Sequence, residues 1–189
     1  MQITLKSRRT VFENSVFRVY SDWIVDPEGR QVQDYLVVAP RIVSTDLVTG
    51  VTVLPIWNDR VVLLRTFRHA VGREALEAPR GFVDAHESPR QAAARELEEE
   101  TGLITAPERL VELGFCTPEA STIAARIALF AAPECSEASV RNADEIGLGR
   151  REMFTLSESE SLLQQMQLED VSTALCLHRY FLWKAGQAC

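Results

Sequence analysis

Gly81–Leu103 reads GFVDAHESPRQAAARELEEETGL, and it concentrates more acid than an ordinary surface helix needs. Ser88-Pro89-Arg90-Gln91 opens a helix, with Ser88 as N-cap, Pro89 at the first helical position and Gln91 placed to complete a capping box. Gly102 is the C-terminal stop. At about 100° per residue, Glu96, Glu99 and Glu100 fall within an arc of roughly 100°, whereas Glu98 points to the far side. Ala93, Ala94, Leu97 and the aliphatic part of Thr101 form the neighbouring apolar stripe that docks the helix.

Like charges four residues apart on a helix sit about 5–6 Å from each other. Their repulsion is on the order of 1 kcal/mol per pair in water and several-fold more in a lower dielectric. A divalent cation removes that cost. The donors are hard oxygens with no His or Cys among them, which suits Mg²⁺ or Mn²⁺ and not zinc. The bland alternative, a solvated acidic face, fits an isolated EEE run. This run sits in a longer pattern: Gly81, five residues, Glu87, seven residues, then Arg95-Glu96-Leu97-x-Glu99-Glu100-x-Gly102-Leu103.

That spacing resembles the Nudix box, G-x5-E-x7-R-E-U-x-E-E-x-G-U with U aliphatic, at all nine specified positions across 23 residues. The resemblance implies a metal-dependent enzyme that cleaves a nucleoside diphosphate linked to another moiety. It implies that Glu96, Glu99 and Glu100 hold metal, with the main-chain carbonyl of Arg80 as a further ligand. Arg95 lies about 40° from Glu99 around the helix, and by the same resemblance it ties the carboxylates in place together with Glu87, with Gly81 completing the structural set.

The whole chain sets bounds on the reading. A length of 189 residues is one domain of ordinary size, or one with a short appendage, and the 46% hydrophobic content supports a real core. A net charge of −7 argues against a broad nucleic-acid footprint, which needs clustered Lys and Arg. The four cysteines, Cys116, Cys135, Cys176 and Cys189, show neither CxxC nor zinc spacing, the pattern of a reduced cytosolic protein. No apolar run approaches the length of a membrane helix, and the start lacks a signal-peptide core. The expectation is a cytoplasmic protein without membrane or nucleic-acid partners.

From Ile3 to Val38 the pattern has period two and is β-branched, with Phe17–Val25 and Gln31–Val38 flanking a turn at Asp26–Arg30. This predicts a small antiparallel sheet over residues 1–45, ahead of a hydrolase domain over 46–189. It either caps the core or has a role of its own. Nudix enzymes acting on ADP-ribose and nucleotide sugars carry a similar sheet that contributes to a homodimer, and the resemblance implies a homodimer here. Val51–Ile56 and Val61–Phe67, around Asn58-Asp59, read as a buried hairpin.

Arg68–Arg73 followed by Leu76-Glu77-Ala78-Pro79-Arg80-Gly81 is similar to the segment of ADP-ribose pyrophosphatases in which Q-x-R-x-x-x-G-R leads into L-E-x-P-A-G. Arg68 is then a candidate for the substrate's phosphates, a task for the fixed fork of a guanidinium; the alternative is a surface arginine in a loop. The small residue usual before the box glycine is Arg80 here, a long cation at the mouth of the site that bears on substrate choice. Glu77 is either an acid supporting the site or an exposed strand carboxylate.

Arg109–Cys116 and Thr122–Phe130 read as strands around a loop at Thr117–Ser121. Pro118 and Ser121 resemble the P-G-x-S-x-E stretch of ADP-ribose pyrophosphatases, but Glu119 replaces its glycine and Ile123 its acid, which leaves other nucleotide sugars open. Glu134–Gly149 is polar and loop-like. Related enzymes carry a water-orienting glutamate there, and Glu145, ahead of Asp144, is the match; the alternative is a solvated acid pair. Ser157–Leu168 and Val171–Ala185 read as helices, the second capped by Asp170, with His178 and Trp183 as packing residues.

Strands around one central helix, then two more helices, describe an α/β fold. The family resemblance implies the Nudix fold, an α/β/α sandwich around a mixed sheet. The expected reaction is metal-dependent hydrolysis of the diphosphate of ADP-ribose or a nucleoside diphosphate sugar, with Glu99 and Glu145 as catalytic acids. The alternatives are hydrolysis of RNA 5′ ends or dinucleoside polyphosphates on the same scaffold, and a nucleotide sensor that does not cleave.

Overall fold

The structure is a computed structural model describing residues 2–42, 46–138 and 146–187. In chain order its elements are β1 (Thr4–Glu13), β2 (Phe17–Val25), β3 (Gln31–Pro40), β4 (Val48–Trp57), β5 (Arg60–Arg68), β6 (Arg73–Glu77), β7 (Arg80–Phe82), α1 (Pro89–Thr101), β8 (Leu103–Ile104), β9 (Val111–Cys116), β10 (Arg126–Ala132), β11 (Ser136–Glu137), β12 (Leu148–Thr155), α2 (Leu156–Gln164) and α3 (Val171–Gln187). The chain forms two compact units, Met1–Thr49 with Thr117–Arg126, and Gly50–Cys116 with Ile127–Cys189.

The first unit is a three-stranded antiparallel sheet in the order β1-β2-β3. Period-two patterning builds it, and Asp26 closes the β2–β3 turn by accepting the amides of Glu28 and Arg30. Residues read as the start of a strand at Thr122 belong here: Val38 and Thr122–Ala124 exchange main-chain hydrogen bonds of 2.8 and 2.9 Å. The strand proper therefore starts at Arg126, because the backbone groups just before it are already committed to β3.

The second unit carries a larger sheet, ordered β12-β5-β4-β10-β9, with β6 on β5 and β7 on β4. It is the mixed sheet of an α/β fold, buried on both faces. Leu54, Ile56, Val61, Leu63, Leu129 and Ala131 pack with Cys176, Leu177 and Tyr180 of α3 in one cluster. Residues of opposite parity, Val51, Val53, Val62, Leu64, Ala128, Phe130 and Ala132, are also buried, on the other face. Ala92, Ala93 and Leu97 of α1 are buried likewise, and the Arg90 guanidinium lies over the Phe130 ring. At about 25 cal/mol per Å² of apolar surface, such two-sided burial is the main force holding the sheet. Asn58 and Asp59 both take positive φ, as a two-residue hairpin turn requires.

Two helices differ from the sequence reading. The second begins at Leu156, because Thr155 and Glu158 form a capping box, and ends at Gln164, just before Met166 at φ 55°. Leu168 then inserts into the core from a non-helical segment. In α3, Trp183 stacks on Tyr180 as a packing residue, but His178 is exposed. No helix among the described residues is long and apolar enough to cross a membrane.

Candidate active site

The helix α1 takes the form its local sequence dictates. Ser88 accepts from the Gln91 amide, Gln91 returns a bond to Ser88, and Gly102 closes the helix in the left-handed conformation at φ 69°. The cap fixes the rotation of the helix. Glu98 is thereby turned outward, while Glu96 and Glu100 are 9% and 5% exposed. Glu99 is intermediate, its side chain 46% exposed.

The centre of this acidic face is Arg95. Its Nε and Nη2 donate to the two oxygens of Glu87 at 3.0 Å each, and Nη1 donates to Glu96 at 2.7 Å and Glu99 at 3.0 Å. Nη2 also donates to the Phe82 carbonyl at 3.0 Å. A guanidinium has five N–H donors, and these contacts use them all. The Arg95 guanidinium holds the Glu87 carboxyl below its ordinary range, outweighing burial, and Glu87 in turn raises the Arg95 pKa further.

Gly81 lies against the same cluster. A Cβ built there would stand 2.0 Å from Glu96 Oε1, so no larger residue fits while that carboxylate keeps its place. The strand β7 pairs Gly81 with Val51 and Arg80 with Thr52 of β4, and the Arg80 amide donates to Glu100 Oε2 at 3.1 Å. The Arg80 main chain is thus adjacent to a box carboxylate. Its side chain does not stand loose at a mouth: Nε is 3.3 Å from Glu77 Oε2 and Nη1 donates to Asp170.

Glu77 is 3% exposed, which removes the exposed-carboxylate reading. Arg68 reaches it with Nε at 3.2 and 3.0 Å and Nη2 at 2.7 Å. Asp170 caps α3, its Oδ2 accepting from Ser172 Oγ, Thr173 Oγ1 and the Thr173 amide. Burial pushes the Asp170 carboxyl up, but Arg80 and these donors pull it below its ordinary range. Sequence reading took Asp170 only as a cap; nothing local pointed to Arg80, 90 positions away.

The structure therefore brings together Gly81, Glu87, Arg95, Glu96 and Glu99 in one cluster, Glu100 with the Arg80 amide, and Arg68 with Glu77. Among the described residues no three His, Cys, Asp or Glu groups stand at metal-holding positions; in this arrangement Arg95 draws Glu96 and Glu99 to itself. Glu145 and Asp144 lie outside the described residues. Gly147 is bonded at 2.9 Å to Phe67, the residue before Arg68.

The NUDIX domain matches residues 46–170, about two thirds of the sequence. The chain belongs to the Nudix family. Its relatives include a mouse ADP-sugar pyrophosphatase, 46% identical over 61 residues that make up 31% of this chain and 28% of that protein. An ADP-ribose pyrophosphatase of Bacillus subtilis is 25% identical over 183 residues, 96% of this chain and 94% of that one. A crystal structure of an ADP compounds hydrolase superposes with a TM-score of 0.81 over 99% of this chain and 96% of that one, at 22% identity, and so shares the Nudix fold.

Proposed function

We propose that this Nudix protein hydrolyses the diphosphate of ADP-ribose or a nucleoside diphosphate sugar, releasing a nucleoside monophosphate and a sugar phosphate. The observation that carries the reading is the gap at Gly81, which a methyl group would fill and which the Glu96 carboxylate occupies inside a complete Nudix box. The full-length relation to a bacterial protein named ADP-ribose pyrophosphatase supports the substrate class.

The donor chemistry of these residues suits a divalent cation, which would have to draw Glu96 and Glu99 away from Arg95. Glu96, Glu99 and Glu100 offer hard carboxylate oxygens, and the Arg80 carbonyl belongs to the peptide stretch whose amide already meets Glu100. We assign Mg²⁺ or Mn²⁺ to this set. Such an ion, when bound, shields the charge of the diphosphate and polarises phosphorus. Arg95, with Glu87 behind it, keeps the carboxylates aimed. Arg68 donates to two oxygens of one phosphate, where its planar fork gives two parallel bonds. Glu145, with Asp144 as the alternative, orients the attacking water together with Glu99. That water's oxygen bonds to one phosphorus, its proton passing to the carboxylate that orients it, as the bridging oxygen leaves with the other phosphate.

The three-stranded sheet of β1, β2 and β3, within the N-terminal region 1–45, is assigned to a homodimer. Leu5, Ile24 and Val32 lie in register across it, and Leu5 and Val32 are 50% and 44% exposed, an apolar row suited to a second copy. Cys116, Cys135 and Cys176 are free thiols, in keeping with a cytoplasmic location.

The test is a panel of ADP-ribose, UDP-sugars, dinucleoside polyphosphates and capped RNA with Mg²⁺ or Mn²⁺, both products identified. Cleavage of ADP-ribose or a nucleotide sugar is expected, and Glu100→Gln should lose turnover by orders of magnitude while staying folded. Preference for capped RNA or a dinucleoside polyphosphate would move the substrate class. Tight binding without turnover would make the protein a sensor.

A further inference from the structure

Glu77 is a buried carboxylate that receives two guanidinium groups. Arg68 grips both of its oxygens, and Arg80 Nε stands 3.3 Å from Oε2. One arginine would be enough to neutralise it. The second is balanced by Asp170, which takes Arg80 Nη1 on one oxygen while the other is consumed by Ser172 and Thr173 at the start of α3. Arg80 is tied at both ends of its guanidinium, to Glu77 and to Asp170, and through its amide to Glu100.

An arginine that turns toward a substrate phosphate must leave its carboxylate. If it were the only counter-charge, its departure would strand a charge out of water, a state that strongly opposes the movement. With Arg80 in place, Glu77 keeps a cation. We propose that Arg80 is a positioning residue for substrate recognition: its guanidinium, anchored on Asp170, holds buried Glu77 when Arg68 engages a phosphate of the nucleoside diphosphate. Arg80 acts through Arg68 and touches no substrate atom with its side chain. The inference deepens the pyrophosphohydrolase reading and rests on it.

The test is steady-state kinetics of the full-length protein on the best diphosphate of the panel, here ADP-ribose, with melting temperature followed for each variant. A wild type inactive on every diphosphate fails the functional reading itself, and this inference with it, before any variant is made. With an active wild type, Arg80→Ala should raise KM about tenfold, with KM rising by more than kcat falls, and Arg80→Lys should restore part of the loss. Arg80→Met, which keeps the aliphatic stem, replaces the alanine variant if that one does not fold. Because Arg80 works through Arg68, adding Arg80→Ala to Arg68→Ala should raise KM less than twofold further. An unmoved KM in Arg80→Ala, effects of the two substitutions that multiply, or a change confined to the Mg²⁺ concentration needed for half-activity would each overturn the proposal.

Discussion

Gly81 and Glu96 share one space: the position a Cβ would take on Gly81 lies 2.0 Å from Oε1 and 2.5 Å from Oε2 of the glutamate. The obstructing atoms are the end of a flexible side chain, so Gly81→Ala need not break the fold. It must move Glu96, which Arg95 otherwise holds at 2.7 Å. We expect Gly81→Ala to cost about 1–2 kcal/mol of stability, as modest overpacking does, yet to reduce kcat/KM at least a hundredfold. Urea unfolding beside steady-state kinetics separates the two effects; a folded alanine variant with native turnover would remove Glu96 from the site.

Arg95 spends its donors on three carboxylates and the Phe82 carbonyl. Arg95→Ala leaves those acceptors to repel one another, and because the Arg95 side chain is 29% exposed the cost at neutral pH should be on the order of 2 kcal/mol, below the ~3–5 of a fully buried pair. The pH dependence has a definite sign. The Glu87 carboxyl is held below its ordinary value of 4.5 by Arg95, so its contribution is complete above that value and fades as pH falls through the lower folded value. The stability gap between wild type and Arg95→Ala should therefore narrow below pH 4.5. A gap that stayed constant down to acid unfolding would show that the Glu87 pair contributes nothing.

What could be read from the chain alone was local. The Ser88–Gln91 box, Gly102 and the outward turn of Glu98 depend on neighbours within a few residues, and all three appear as expected. The Asn58-Asp59 hairpin is legible for the same reason. Glu77 and Arg80 were not: whether a strand carboxylate is buried, and which acid takes an arginine, depend on α3 arriving from 90 positions away. Thr122–Ala124 has strand-like composition but spends its backbone on Val38, a tertiary choice that period-two patterning cannot express. The end of α2 was missed because Leu168 is apolar at helical spacing yet reaches the core after the helix has stopped.

The edge strand β1 is exposed along its whole length, a condition that soluble proteins usually block or cover. Covering by a second copy predicts a dimer, with Leu5, Ile24 and Val32 near its centre. Light scattering after gel filtration should give twice the chain mass for the wild type. Leu5→Glu combined with Val32→Glu should give the single-chain mass, because two charges would be buried without partners. A dimer unchanged by this pair of substitutions would move the interface elsewhere, and a monomeric wild type would remove it.

Asp170 does two jobs that substitution can divide. As N-cap it accepts the Thr173 amide at 2.8 Å; as counter-ion it holds Arg80. Asparagine caps about as well as aspartate but offers no charge, so Asp170→Asn should lose mainly the ion pair, about 1.5–3 kcal/mol for a hydrogen bond between charged groups. Asp170→Ala should lose roughly 1 kcal/mol more, the usual worth of a cap. The folded carboxyl lies below 3.8, so the advantage of wild type over Asp170→Asn is complete above that pH and declines as pH falls through the lower folded value. Urea unfolding of all three proteins at neutral and acid pH measures both quantities. Equal stability of the asparagine and wild-type proteins at neutral pH would show that Arg80 gains no net stabilisation from this partner, and the anchor proposed for it would lose its energetic basis.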